Sequence, residues 1–176
     1  MHFSPLTIAG AWLIELAPQS DVRGSFARTF CAREFAEHGL ATNYPQHSRS
    51  RNFAKGTLRG MHYQKPPHAE AKLVSCTRGA IHDVCLDLRQ DSPTFLQWQG
   101  FDLSAENGHQ LYVPEGCAHG FQALSDDSEV TYRISEFYEQ LASAGVRYND
   151  PRFAIRWPLP VSSISDRDRD WPDFEA

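Results

Sequence analysis

Residues 72–89 read KLVSCTRGAIHDVCLDLR. Polar and apolar side chains alternate on both sides of Arg78-Gly79, a dipeptide that marks a turn. The stretch predicts two short strands, over 71–77 and 81–88. In the first, Lys72, Val74 and Cys76 share one face, because strand side chains alternate with period two. Working outward, the same texture recurs over 11–16, 26–30, 45–51, 95–103, 110–113, 119–124 and 128–135, each bounded by Gly, Pro, Asn or Asp. Many short strands at close spacing are the pattern of an all-β sandwich or barrel. Asn107-Gly108 predicts a two-residue hairpin turn, since both residues accept positive φ. Gly100 interrupts the alternation between Trp98 and Phe101 and predicts a bulge or bend. One early stretch reads as helix, CAREFAEHGL at 31–40, with Phe35 and Leu40 as apolar contacts and Gly39 near its end. After Tyr138 the chain turns rich in Pro, Asp and Arg, with isolated aromatics, and reads as an arm of turns and short helices. The expected organisation is a single domain over 1–176, with a barrel core at about 45–138 and a C-terminal arm at 139–176.

The chain has 176 residues, 41% hydrophobic and 22% charged, and a formal net charge of −5. That is ordinary globular composition, and a chain of this size buries about 70% of its extended surface on folding. The acidic balance argues against a nucleic-acid partner, so an anionic ligand needs a local basic site. The apolar stretches are far shorter than the roughly 20 residues of a membrane helix. The start, MHFSPLTIAGAWLIELAP, lacks a basic region before its apolar part and reads as a first strand rather than a leader. The four cysteines, Cys31, Cys76, Cys85 and Cys117, have no CxxC spacing. They read as small buried hydrophobes in a reducing compartment, the cytoplasm.

Several residues are candidates for chemistry. In Gly56–Gln64, GTLRGMHYQ, two glycines flank Arg59 just ahead of His62. The guanidinium fork of Arg59 matches phosphate oxygens. His62 is a candidate base or a satisfied core histidine. Lys72 sits either at a rim, reaching outward, or in a polar cavity. Tyr132 shares a face with Val130 and Ile134, which points it inward, where its hydroxyl needs a structural or a substrate partner. His119 has small neighbours, Ala118 and Gly120, that leave room for something to approach. The Asp-Arg alternation at 166–170 reads, by itself, as a solvated face. Metal ligation has little support, because no histidine pair has i, i+2 or i, i+4 spacing. No G-x-S-x-G elbow or glycine-rich phosphate loop is present.

Taken together, DVRGSF at 21–26, GTLRGMHYQ at 56–64, Lys72 within KLVSC, YVPEGCAHGF at 112–121, VTYRISEFY with Tyr132 and Tyr138, and the later NDPRFAIRWP resemble one family. It is the dTDP-4-dehydrorhamnose 3,5-epimerase family of nucleotide-sugar epimerases. The resemblance implies a mainly β fold, a cupin-type jelly-roll barrel with a few short helices. It implies a metal-free site without a cofactor, a homodimer, and a nucleoside-diphosphate 4-keto-6-deoxy sugar as substrate. The implied reaction converts dTDP-4-dehydro-6-deoxyglucose to dTDP-4-dehydrorhamnose through an enolate. By the same resemblance His62 is the base, Asp168 orients it, and Asp83 is a second supporting carboxylate. Lys72 stabilises the enolate oxygen, and Tyr132 returns a proton on the opposite face. Arg23, Arg59, His119 and Arg167 hold the diphosphate and sugar, Gln46 and Ser48 contact the substrate, and Tyr138 stacks on the base. The chain departs from the family pattern at Arg28, where a glutamate is common, and at Gln46-His47-Ser48, where Gln-x-Asn is common. A C3-only epimerase, an epimerase for another nucleotide or sugar, a metal-dependent cupin and a sugar-binding jelly roll are the competing readings.

Overall fold

In the computed structural model, which describes residues 1–175, the alternating segments become strands. In chain order they are β1 (His2–Pro5), β2 (Trp12–Glu15), β3 (Gln19–Asp21), β4 (Gly24–Phe26), β5 (Gln46–Asn52), β6 (Leu58–Gln64), β7 (Lys72–Arg78), β8 (Ala80–Asp87), β9 (Trp98–Ser104), β10 (Gln110–Val113), β11 (Cys117–Ala123), β12 (Ser128–Ile134) and β13 (Ser143–Gly145). Two short helices accompany them, α1 (Ala32–Glu37) and α2 (Asp166–Arg169). One sheet has six strands in the order β1-β2-β10-β7-β12-β5, and the other has five in the order β13-β6-β11-β8-β9. β3 and β4 form a separate hairpin.

The two large sheets face each other and bury the alternating residues between them. Val74, Cys76, Leu111, Val113 and Val130 from the six-stranded sheet meet Ile81, Cys85, Leu103, Cys117 and Phe121 from the five-stranded one. Each such side chain contributes roughly 1.5–3 kcal/mol when fully buried. This is the expected jelly roll. The outer face of the five-stranded sheet is also covered, because Val146, Phe153 and Ile155 of the C-terminal arm pack on Met61, Val84 and Leu86. α1 lays Phe35 against Ile14, Leu73 and Tyr112 on the outside of the other sheet. Double coverage explains why β8 carries apolar residues on both faces.

The structure corrects three local expectations. Arg78-Gly79 and Asn107-Gly108 are turns, with Gly79 and Gly108 at φ +71 and +61. Asn107-Gly108, however, does not close a hairpin: it carries the chain from β9 in one sheet to β10 in the other. Arg78-Gly79 makes the same kind of crossing. Gly100 is not a bulge. It keeps regular register opposite Val84, and its missing side chain makes room for His82, whose Nε2 would lie 2.4 Å from an added Cβ. Finally, 26–30 is not a strand, since β4 ends at Phe26 with β3 as its sole partner. All four cysteines are free, and Cys76, Cys85 and Cys117 are buried.

Candidate active site

The jelly roll turns a set of polar residues inward. On β8, Asp83 shares the face of Ile81 and Cys85. On β11, His119 shares the face of Cys117 and Phe121. His119 lies directly opposite His62 of β6 in register, and Ile134 lies opposite Lys72. Two glycines permit this approach. Gly60 has φ +132, and a Cβ there would sit 2.5 Å from Gly120 Cα, so the β6 and β11 backbones touch beside the two histidines. The β6–β11 register shifts at the same place, between His119 and Phe121.

His62 is met from the C-terminal arm. Its Nε2 lies 2.6 Å from Asp168 Oδ1. Asp168 sits on α2, where Ser165 caps the first turn by accepting the Asp168 N–H at 3.1 Å. Its other oxygen accepts the Gly60 N–H at 3.1 Å. Burial works to raise the carboxyl's pKa, but the bond and charge of His62 and the Gly60 and Ser165 contacts together hold it below the usual carboxylate value. An ionised carboxylate only accepts. His62 Nε2–H therefore donates to it, and in the neutral imidazole Nδ1 keeps the free lone pair. The solvated-face reading of 166–170 holds for Asp166, Arg169 and Asp170, which pair with one another, and fails for Asp168.

His62 lines a cavity of about 270 Å³ together with Lys72, Gln46, Ser48, Tyr138 and Arg167. Lys72 is 8% exposed, so it lies in a polar cavity and not at a rim. Its Nζ donates to His62 O at 3.3 Å. Tyr138 is 54% exposed, and its N–H is fixed by Gln46 Oε1 at 3.0 Å. Arg167 donates to Ser143 Oγ at 2.9 Å and lies over the Trp171 ring. Asp168 and Arg59 line a neighbouring cavity of about 250 Å³, so the His62–Asp168 pair joins the two. Arg59 Nε is anchored on Asn52 Oδ1 at 2.7 Å. A larger cavity of about 420 Å³, lined by His47, Ser48, Arg49, Tyr132 and Arg133 among others, includes neither His62 nor Lys72.

Deeper in the barrel, His119 Nε2 and Asp83 Oδ1 are 2.6 Å apart. Asp83 Oδ2 has no protein partner among the described residues. The Tyr132 ring stands edge-on to His119, with centroids 6.1 Å apart. Its hydroxyl is 3.1 Å from Ser50 Oγ. Burial, assisted by the nearby Asp83 charge and opposed by the Ser50 bond and Arg59, pushes the phenol well above its ordinary value, so it keeps its proton.

Arg23 stands apart. It lies on the exposed β3–β4 hairpin, paired with Asp21 at 2.6 Å, and does not line the His62 cavity. Arg28 is paired with Glu34 at 2.8 Å. Sequence reasoning missed three residues. Glu70 pairs with Lys72 at 2.9 Å. Ser50 meets Tyr132. Gln64 is buried and ties down the segment before β13: it donates to His68 O and Phe137 O and accepts the Glu139 N–H at 2.7 Å. Gln64 and Ser50 share strand faces with His62 and Ser48, and that periodicity was the available signal.

The arrangement is suited to moving a proton on and off carbon: an oriented imidazole and an ammonium line one cavity, and a protonated phenol stands edge-on to His119, the cross-strand neighbour of that imidazole. No cluster of three or more potential metal ligands occurs among the described residues, and no described helix is long and apolar enough to cross a membrane. The sequence matches, over residues 5–176, the family model described as dTDP-4-dehydrorhamnose 3,5-epimerase. The enzyme of that name from Shigella flexneri is 43% identical over 149 residues, covering 84% of this chain and 82% of that one. A crystal structure of the Bacillus anthracis enzyme with TDP and PPi bound superposes with a TM-score of 0.95 at 39% identity, covering 98% and 99% of the two chains. The Legionella pneumophila enzyme in complex with dTDP-4-keto-L-rhamnose gives a TM-score of 0.89 at 37% identity, over 95% and 89%. With its fold and nearly its whole length in agreement, this chain belongs to the dTDP-4-dehydrorhamnose 3,5-epimerase family.

Proposed function

We propose that this chain epimerises dTDP-4-dehydro-6-deoxyglucose at C3 and C5 to give dTDP-4-dehydrorhamnose. The observation that carries the reading is the His62–Asp168 pair, with Nδ1 left free, on the wall of the cavity that also holds Lys72. Hydrogens next to the C4 ketone are weakly acidic, and their removal puts negative charge on the ketone oxygen. His62 Nδ1 takes the proton. The Lys72 ammonium stabilises the oxygen as charge develops, where partial exclusion of water makes its field count for more. The Tyr132 hydroxyl, kept protonated by burial, gives a proton to the other face of the carbon. Inversion follows because acid and base act on opposite faces. The ketone activates both neighbouring carbons, so the chemistry asks for neither a metal nor a redox cofactor.

Arg59, Arg167 and His119 serve the diphosphate and sugar, with Asp83 supporting His119 through their 2.6 Å contact. Tyr138 is half-exposed and free to stack on the nucleotide base, and Ser48 and the Gln46 amide nitrogen remain available to the substrate. The chain works as a single domain and as a homodimer, in the cytoplasm. The dimer reading is supported by Val22 and Phe26, large apolar side chains left exposed on the β3–β4 hairpin beside Arg23.

Proton NMR in D₂O tests the reading. Mixed with dTDP-4-keto-6-deoxyglucose, the protein should erase the sugar H3 and H5 signals faster than buffer does, and His62→Ala should not. Loss of H3 alone would make the chain a 3-epimerase, and loss of neither would overturn the assignment.

A further inference from the structure

Lys72 carries three N–H donors and no acceptor. Inside the protein the ammonium forms an ion pair with Glu70 Oε1 at 2.9 Å and donates to His62 O at 3.3 Å. No third protein partner occurs among the described residues. Both side chains of the pair are 10% exposed, and both line the cavity that contains His62. Glu70 has no part in the steps above. It is nonetheless the one carboxylate on that cavity wall, where the other titratable or charged groups are His62 and Tyr63 from β6, Lys72 from β7, Tyr138 after β12 and Arg167 from α2.

An ammonium withdrawn from water is disfavoured unless an opposite charge lies within salt-bridge reach. A flexible four-carbon stem also leaves the ammonium many orientations. Glu70 removes both problems at once. We propose that Glu70 is a positioning residue whose carboxylate aims the Lys72 ammonium, leaving one N–H for the oxygen of a substrate carbonyl. This rests on the epimerase reading only for the identity of that oxygen. The ion pair and the bond to His62 O together fix where Nζ sits, so the site is organised before substrate arrives.

The chain has three lysines, Lys55, Lys65 and Lys72, so lysine Nζ signals can be followed one by one in ¹⁵N-lysine-labelled protein. In Glu70→Gln, which keeps an acceptor of the same shape but no charge, the Lys72 Nζ signal should move while those of Lys55 and Lys65 stay in place. Turnover should fall about tenfold in kcat with KM changed less than about threefold, since the lost interaction acts on the developing charge. Glu70→Asp should recover part of that loss. In a Lys72→Ala background Glu70→Gln should cost nothing further, because the two residues act as a unit. An unchanged Lys72 Nζ signal, or an undiminished cost in the Lys72→Ala background, would overturn the proposal. Failure of the wild-type chain to turn over dTDP-4-keto-6-deoxyglucose would overturn the epimerase reading instead, and the Nζ spectrum would still decide the role of Glu70.

Discussion

His62 Nε2 and Asp168 Oδ1 lie 2.6 Å apart although 106 positions separate them in the chain. The base belongs to the barrel and its orienting carboxylate to the arm that wraps the barrel. Asp168→Asn tests what the carboxylate does. An asparagine amide presents N–H donors as well as an oxygen, so the imidazole is free to turn its proton toward the cavity and lose the lone pair needed at Nδ1. The expected result is a kcat lower by about 10²- to 10⁴-fold with the circular dichroism spectrum unchanged. Activity within a few-fold of wild type would remove Asp168 from the mechanism.

Tyr132→Phe separates proton removal from inversion. The ring stays packed against His119 and the hydroxyl that meets Ser50 is gone. His62 can still remove a proton and return a deuteron on the same face. The variant should therefore wash H3 and H5 out in D₂O while forming little epimerised product, a loss of about 10²-fold or more in inversion. Exchange and inversion falling together would give Tyr132 another role.

The barrel was legible in the sequence because its interior obeys period two. Val74, Cys76, Val130 and Ile81 alternate with outward residues, and that pattern survives without knowledge of partners. What period two does not encode is which strands pair. Asn107-Gly108 has hairpin chemistry, yet β9 and β10 belong to different sheets, since turn residues fix local φ and not the destination of the next strand. The inward direction of Tyr132 followed from its strand face. The burial of Asp168 did not follow from its neighbours, because Asp166, Arg167, Arg169 and Asp170 are the composition of a solvated helix; the family resemblance alone pointed to it. Glu70 lies just outside β7 and its pairing with Lys72 depends on how the preceding loop closes, which no local pattern records.

Gly120 couples the fold to the chemistry. A Cβ at this position would lie 2.6 Å from Met61 Sδ and 2.8 Å from Arg59 O. The oxygen belongs to the backbone of β6 and cannot rotate away. Gly120→Ala should cost about 1–3 kcal/mol, read from the denaturant midpoint. It should also depress turnover, because His119 is the adjacent residue and His62 its cross-strand neighbour. Gly100→Ala is the comparison: its clash is with the His82 ring, so it should cost less and leave kcat intact. Equal effects of the two would mean that the close approach of β6 and β11 has no special role.

Asp87 gives the stability a dependence on pH. It is fully buried. Burial raises its pKa, but bonds from Arg89, Ser92 and Thr94 overcome that and bring it from 3.8 down to about 2. Arg89 in turn reaches Ala9 O at 2.6 Å, so the cluster ties the start of the chain to β8. A carboxyl with a lowered folded-state pKa stabilises above its unfolded value and loses that contribution as pH falls through the folded value. The lowering corresponds to about 2 kcal/mol at neutral pH. Asp168 acts in the same direction. Wild-type stability should therefore be level above about pH 5 and decline toward pH 2, while Asp87→Asn should start lower and decline less. Parallel curves for the two proteins would place the acid sensitivity elsewhere.

Arg23 can serve a substrate only if something brings it to one. Its hairpin is exposed, its guanidinium is paired with Asp21 alone among the described residues, and it lies off the cavity that His62 lines. Val22 and Phe26 on the same hairpin are large apolar groups in water, which a second copy of the chain would cover. If the homodimer seats each hairpin at the neighbour's cavity, Arg23→Ala should raise KM by about tenfold or more, as expected for loss of a charge-assisted phosphate contact. Phe26→Asp should then yield monomers by sedimentation and the same loss. Arg23→Ala and His62→Ala chains, each impaired alone, should recover activity when mixed and allowed to exchange subunits, because one of the two sites in the mixed dimer holds both native residues. No recovery from a mixture shown to contain mixed dimers would mean that Arg23 acts within its own chain or not at all.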